Sequence, residues 1–335
     1  MEALEAALDA EAERTAFSGV VRVDRRGAAE LAKAYGLADR AHGIPNTVDT
    51  RFMLASVAKG FTALAVMSLV ADGTLQLSTT ARSVLGDDLP LVADDVTVEH
   101  LLAHRSGIGD YLDEDELDDR NSYTLPVPVS RLDATERYLE VLDGFPTVSR
   151  ADERFSYNNA GYVVLALIAE RASGVGYHKL VRRRLTEPAG LADTGFWRTD
   201  ELPGDHAIAY LHAGGLRSNT LHLPVLGTGD GGISSTAADL AAFWQALYGG
   251  RIVPTGLVAE MTRPRSDWPE EDRRYGLGFH VHRTSEAVWL EGYDAGVSVC
   301  TTHDPVSGIT HTVIANWSDG AWPMLTVLDK HLGTA

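Results

Sequence analysis

Leu4 and Leu8 recur at i, i+4 among strong helix formers over residues 2–14, which predicts a short amphipathic helix at the start of the chain. Two strand-like runs follow, Gly19-Val20-Val21-Arg22-Val23 and Ala29–Tyr35, around the turn Arg25-Arg26-Gly27, the pattern of a hairpin. From residue 56 to about residue 190 the spacing turns helical. Ala55–Asp72 is apolar nearly all round, with Phe61, Leu64, Met67, Leu69 and Val70, as expected of a buried helix. Shorter helices are predicted over Thr97–Ala103 and Asp133–Leu142. Asn159–Ser173 reads as another apolar helix, closed by Gly174. Thr236 and Asp239 open a helix that runs to Tyr248 and stops at Gly249-Gly250. The last third returns to strands over Tyr275–Arg283, Ala287–Glu291, Gly296–Thr302 and Gly308–Asn316, with a closing helix near Ala321–Leu332.

This order is not the strand–helix alternation of a parallel sheet. It predicts an α+β fold, in which an antiparallel sheet built from both chain ends is flanked by terminal helices and an all-α region is inserted. The expected division is a discontinuous sheet domain, 1–55 and 230–335, and a mainly helical region, 56–229.

Composition narrows the function classes. With 44% hydrophobic and 23% charged residues in 335, the chain is able to bury a sizeable core. Asp and Glu number 47 against 29 Lys and Arg, a formal charge of -18, which repels nucleic acid and anionic membrane surfaces. Arg182-Arg183-Arg184 is the densest basic run and reads as a solvated face. The single cysteine, Cys300, forms no internal disulfide and no thiolate zinc site. No apolar stretch reaches membrane-span length, and the acidic start Met1–Glu5 is unlike a signal peptide, so a cytoplasmic location is expected. Neither a metal nor a cofactor is expected, the partner is a small-molecule or peptide substrate, and the oligomeric state is left open.

The sharpest chemical signal is Ser56-Val57-Ala58-Lys59. At i and i+3 on the first turn of a helix, the hydroxyl and the amine are neighbours. A serine hydroxyl needs a base within hydrogen-bond reach, and a lysine in an apolar setting is able to serve as one. Against this stands the common case of a serine that merely caps a helix. Lys59 tips the balance, because it falls in an otherwise apolar segment and is costly there without a partner. Tyr157-Asn158-Asn159 opens the helix that follows, offering a proton-relaying hydroxyl at Tyr157 and, at Asn159, an amide able to bond a substrate carbonyl. Leu290-Glu291-Gly292-Tyr293-Asp294-Ala295-Gly296 joins two late strands with small residues, consistent with an edge that approaches a ligand.

Other signals carry less. Gly227–Gly232 satisfies Gly-x-Gly-x-x-Gly but lacks the ribose-binding acid and the βαβ setting of a dinucleotide site. His100 and His104 stand at i, i+4 without a third ligand, and His104 reads as a hydrogen-bonded turn residue. His280 and His282 share one strand face; either is placed to border the site, with satisfied sheet histidines the expected reading. Asp110–Arg120 holds seven carboxylates in eleven residues and reads as a solvated loop, since the spacing of a calcium loop is absent.

With these residues in place, the chain resembles the serine β-lactamase and penicillin-binding-protein superfamily, in the branch of class C β-lactamases, D-amino-acid peptidases and related esterases. The segments Thr50–Thr62, Leu101–Gly107, Phe155–Gly161 and Gly231–Leu240 match that family's segments in order and spacing. The resemblance implies a β-lactamase-like fold and a serine hydrolase that forms an acyl-enzyme on Ser56, with Lys59 and Tyr157 as catalytic partners. Esters, amides or small peptides are the expected substrates. It places the substrate-binding residues at Asn159, Leu290, Glu291, Gly292 and Tyr293, and the oxyanion hole at the N–H groups of Ser56 and Tyr293. Counting back from Ala295-Gly296, Leu290 stands where the family carries Lys or His, a departure that disfavours carboxylate-bearing substrates. An acyltransferase or peptide-cyclising enzyme of the same fold, or a non-catalytic ligand-binding member, is the alternative.

Overall fold

The structure is a computed structural model that describes residues 1–114, 117 and 119–333, with the backbone alone at Glu270. Among the described residues thirteen strands run in chain order: β1 Gly19–Arg25, β2 Ala28–Tyr35, β3 Leu37–Asp39, β4 Ile44–Pro45, β5 Phe52–Met53, β6 Gly195–Phe196, β7 Ile233–Ser235, β8 Ser266–Trp268, β9 Arg273–Tyr275, β10 His280–Val281, β11 Val288–Asp294, β12 Val297–Asp304 and β13 Ile309–Ala315. Eight form one sheet in the order β2-β1-β13-β12-β11-β10-β9-β8. The pairings are antiparallel, and the seam between the chain ends sets Gly19 opposite Ala315 and Val23 opposite His311. The sheet is thus built from both ends of the chain, as expected.

Alternation along the seam strands sends side chains to two different cores. Val21, Val23, Val313 and Ala315 join Leu4, Leu8, Met324 and Leu328 of the first and last helices, Glu2–Thr15 and Ala321–Leu332. Val20 and Ile314 point the other way, into a larger core that holds Phe243 and Trp244 of the helix Ala237–Tyr248. That larger core continues through the helices Ala58–Ala71 and Asn159–Ser173, so it contains residues of both the sheet and the helical region. Both helices are buried along almost their whole length, which is why no polar stripe interrupts their sequences. A small sheet, β5-β7-β6, ties residues 52–53 to residues 233–235 just ahead of Ser56.

Two expectations are corrected. Tyr275–Arg283 is not one strand: β9 and β10 are separated by Gly276-Leu277-Gly278-Phe279. Gly278 adopts φ +91°, and a Cβ there would lie 2.3 Å from Ala63, so the chain turns inward against the helix Ala58–Ala71. Asp133–Leu142 forms a 3-10 turn, Thr135–Tyr138, before a single α turn, Leu139–Leu142. Among the described residues no helix is long and apolar enough to cross a membrane.

Candidate active site

Ser56 lies in a 3-10 turn, Ala55–Val57, that runs directly into the helix Ala58–Ala71. Ala55 is held at φ 44°, a left-handed conformation costly for a residue with a Cβ, as is common where a reactive side chain must be presented. One turn on, Lys59 is 1% exposed. Its Nζ donates to Ser56 Oγ at 2.8 Å, to Asn159 Oδ1 at 2.7 Å and to the Asp230 carbonyl at 3.1 Å. The amine also stands 4.8 Å from the centre of the Tyr157 ring. The Tyr157 oxygen is hydrogen-bonded to Ser56, and burial pushes its ionisation well above the ordinary tyrosine range. Since Lys59 donates to Ser56 Oγ, the serine hydrogen is left to point at Tyr157.

His104 fixes Tyr157 from behind. Its Nδ1 accepts the Asn158 N–H at 3.0 Å, and its ring lies 4.4 Å from that of Tyr157. Burial holds this imidazole neutral, far below its usual range, which fits the hydrogen-bonded turn residue expected. Asn158 caps the helix Asn159–Ser173 through the Gly161 N–H at 2.6 Å. Asn159, expected to contact a substrate carbonyl, spends its amide on the protein. Its oxygen accepts from Lys59, and its nitrogen donates to the Leu112 carbonyl at 2.8 Å and to Glu114 at 3.1 Å.

The four residues of the third segment part company. Leu290 is 2% exposed and packs on Gly60, so it faces the core and not the cleft. Glu291, its alternate, borders the cleft and is paired with Arg273 at 3.2 Å. Gly292 presses against the backbone, where a Cβ would meet the Leu54 carbonyl oxygen at 2.1 Å. Tyr293 lies beside Ser56 with the Arg120 guanidinium 4.4 Å over its ring, and its hydroxyl donates to Asp319 at 2.6 Å.

Within the acid-rich stretch 110–120, Asp110 and Glu114 are not simply solvated. Asp110 accepts the N–H groups of Asn159 at 2.5 Å and Ala160 at 3.0 Å, at the positive end of that helix. Burial nevertheless pushes its carboxyl up to about 7. Glu114 joins Asn159 to Arg120, while Asp115, Glu116 and Asp118 lie outside the described residues. The glycine run 227–232 also serves the site. A Cβ at Gly229 would lie 2.0 Å from the Tyr162 carbonyl oxygen, and this close approach carries the Asp230 carbonyl to Lys59.

Ser56 stands between two compartments. One is narrow, with a cavity of about 40 Å³ walled by Met53, Leu125, Leu223 and Tyr138 and by the carboxylates Asp230 and Asp294. The Tyr111 hydroxyl donates to Asp230. Burial raises the ionisation of both acids, that of Asp294 to about 7. The other compartment is an open cleft of about 600 Å³ bordered by Tyr157, Trp268, His280, Arg273 and Glu291.

Known proteins are similar to this chain in sequence and in fold. The Beta-lactamase family model matches residues 4–331. Penicillin-binding protein 4* of Bacillus subtilis is 28% identical over 85% of this chain and 64% of its own length. Esterase EstB of Burkholderia gladioli is 36% identical over 59% of this chain and 51% of its own length. The crystal structure of a penicillin-binding protein from Bacillus halodurans superposes with a TM-score of 0.89 at 31% identity, covering 97% of this chain and 99% of that one. The chain therefore spans less than two thirds of the two curated relatives and nearly all of the solved one.

Proposed function

The chain belongs to the beta-lactamase family, and from that premise we propose that it is a serine acyl-hydrolase working through an acyl-enzyme on Ser56. The observation that carries this reading is the 2.8 Å contact between Lys59 Nζ and Ser56 Oγ, made in a buried setting with Tyr157 on the same oxygen. Ser56 Oγ attacks the acyl carbon. Its proton passes to the Tyr157 oxygen as the Tyr157 hydroxyl hands its own to the departing alcohol or amine, so neither group need hold a buried charge. Lys59 keeps both oxygens in line and supplies a positive field. The carbonyl oxygen is received by the N–H of Ser56, in a first helical turn whose donors have no helical partner, and by that of Tyr293. Water then repeats the sequence on the ester.

The two compartments support a division of the substrate. The narrow side suits a short acyl group, and the wider cleft takes the leaving group. Asp230 and Asp294 favour an acyl group that carries an amine. A carboxylate is disfavoured, because Arg120 and Arg273, which border the open cleft, are already paired with Glu114, Glu271 and Glu291.

Intact-mass measurement after incubation with a fluorophosphonate tests the reading: one adduct on the native protein and none on Ser56→Ala is the expected result. Labelling that survives in a folded Ser56→Ala variant overturns it. Turnover of acetyl, alanyl and succinyl esters of one phenol then ranks the acyl groups, with succinyl expected to be slowest.

A further inference from the structure

His280 was expected to be a satisfied sheet histidine, and it is not. On β10 it pairs with Trp289 of β11 and Tyr275 of β9. The side chain is 6% exposed, stacked on Trp289 at 5.3 Å and 12° and on Trp268 at 6.1 Å and 21°, with Tyr275 edge-on at 5.0 Å. It borders the open cleft with Ser56 and Tyr157. Its Nδ1 is buried without a hydrogen-bond partner among the described residues.

The contrast with His206 is instructive. That ring is equally buried, yet Nδ1 contacts the Ala207 carbonyl at 2.8 Å and Nε2 contacts Ser234 at 2.9 Å. Buried ring nitrogens ordinarily find such partners, because an unpaired one costs folding free energy. His104 Nε2 is also without a hydrogen-bond partner among the described residues, but that ring lines neither compartment beside Ser56, whereas His280 borders the cleft. If stacking between tryptophans were the only requirement at position 280, a phenyl ring would meet it without that cost. Burial, with Arg273, His104 and Lys59 close by, keeps the imidazole neutral. A neutral ring has one N–H and one lone pair, and with no protein partner at Nδ1 its tautomer is left to the ligand.

We infer that His280 is a specificity-determining residue of the open cleft, where it hydrogen-bonds a hydroxyl or amide group borne by the leaving group beyond the scissile atom. The inference rests on the acyl-enzyme reading above, which puts the leaving group on this side of Ser56. It also compensates for strand β11, which turns Leu290 into the core and offers no polar side chain at that position. The aromatic surroundings sharpen selection, since a polar group brought against Trp268 has few other partners, whereas an apolar one leaves the imidazole unpaired.

Two acetate esters of closely matched phenol acidity provide the test, 4-(hydroxymethyl)phenyl acetate and 4-ethylphenyl acetate. The native protein is expected to favour the hydroxymethyl ester in kcat/KM by about fivefold, the worth of one neutral hydrogen bond. His280→Phe, which keeps the stack and removes both nitrogens, is expected to bring that ratio to about one. His280→Gln, which retains a hydrogen-bonding group, is expected to restore part of it. A native ratio near one overturns the inference, as does a ratio that persists in His280→Phe or a uniform loss on both esters in either variant. Fluorophosphonate labelling separates the two levels: absent labelling of Ser56 defeats the hydrolase reading, and normal labelling without the ratio defeats His280 alone.

Discussion

Leu290 fills the space that Gly60 leaves open: a Cβ at position 60 would lie 2.6 Å from one Leu290 methyl and 2.7 Å from the other. The residue expected at the family's Lys/His position therefore packs on the helix bearing Ser56 and Lys59. Leu290→Lys is accordingly expected to destabilise the protein by roughly 3–5 kcal/mol, as an unpaired buried charge does, and not to recruit carboxylate substrates. Urea unfolding checks the first part. A Leu290→Lys protein of native stability would place the side chain in the cleft.

Lys59 and Tyr157 share one oxygen of Ser56, so removing either is expected to slow acylation by about 10²–10⁴-fold. Tyr157→Phe is expected to harm amides more than activated esters, because an amine leaving group needs the proton and a nitrophenolate does not. Pre-steady-state bursts with both substrate types measure the two effects. Equal losses for the two leaving groups would take the relay away from Tyr157.

Asp110→Ala is expected to cost about 0.5–2 kcal/mol of stability, since it strips two N–H groups of the helix Asn159–Ser173 of their acceptor. The same change loosens Asn159, one of the three acceptors that aim Lys59, so kcat is expected to fall by up to about 10²-fold with little change in KM. A rise in KM with kcat unchanged would instead make Asp110 a substrate-binding group.

Asp294 sets a pH dependence in two observables. Burial, with Glu114 and Asp230 near, keeps it protonated up to about pH 7 in the folded chain, whereas an unfolded aspartate ionises near pH ~3.9. Between those values the folded state holds the extra proton. Its contribution to stability is therefore complete below about pH 4 and is lost as the pH rises through about 7. Asp294→Asn is expected to flatten that part of the curve, and urea midpoints across the range measure it. Identical slopes in the two proteins would deny the raised ionisation.

The second observable is selectivity. Once ionised, Asp294 attracts an amine, so the ratio of kcat/KM for an alanyl ester over its propionyl counterpart is expected to climb through about pH 7. It is expected to fall again above about pH 8 as the substrate amine loses its proton. A ratio that is flat with pH would remove the amine from the narrow side.

Much of the scaffold was legible because its signals are local. Asn159–Ser173 is bounded by an asparagine cap and a left-handed glycine, and its borders fall where the sequence sets them. The Ser56–Lys59 pair follows from helix geometry alone. What stayed hidden depends on partners distant in the chain. Nothing in residues 110–120 announces that Asp110 meets the N–H groups of Asn159 and Ala160, about 50 positions on. Strand alternation shows that Leu290 and Glu291 face opposite ways, but the choice of face is made by the glycine at position 60. The run 227–232 has the glycine spacing of a dinucleotide loop without its strand–helix setting. Its glycines answer to close backbone packing, which no spacing rule reports.

The seam between Gly19 and Ala315 also governs how the protein is made. The first hairpin leaves the ribosome well ahead of β13, and its inner edge has no partner until about 300 more residues have been synthesised. At some 5–20 residues per second that is an interval of roughly 15–60 s. Throughout it, β1 exposes a row of unsatisfied N–H and C=O groups beside Val20, Val21 and Val23, a template for pairing with other nascent chains. Expression at lower ribosome density, or with a chaperone that shields strand edges, is therefore expected to raise the productive yield by acting on that interval.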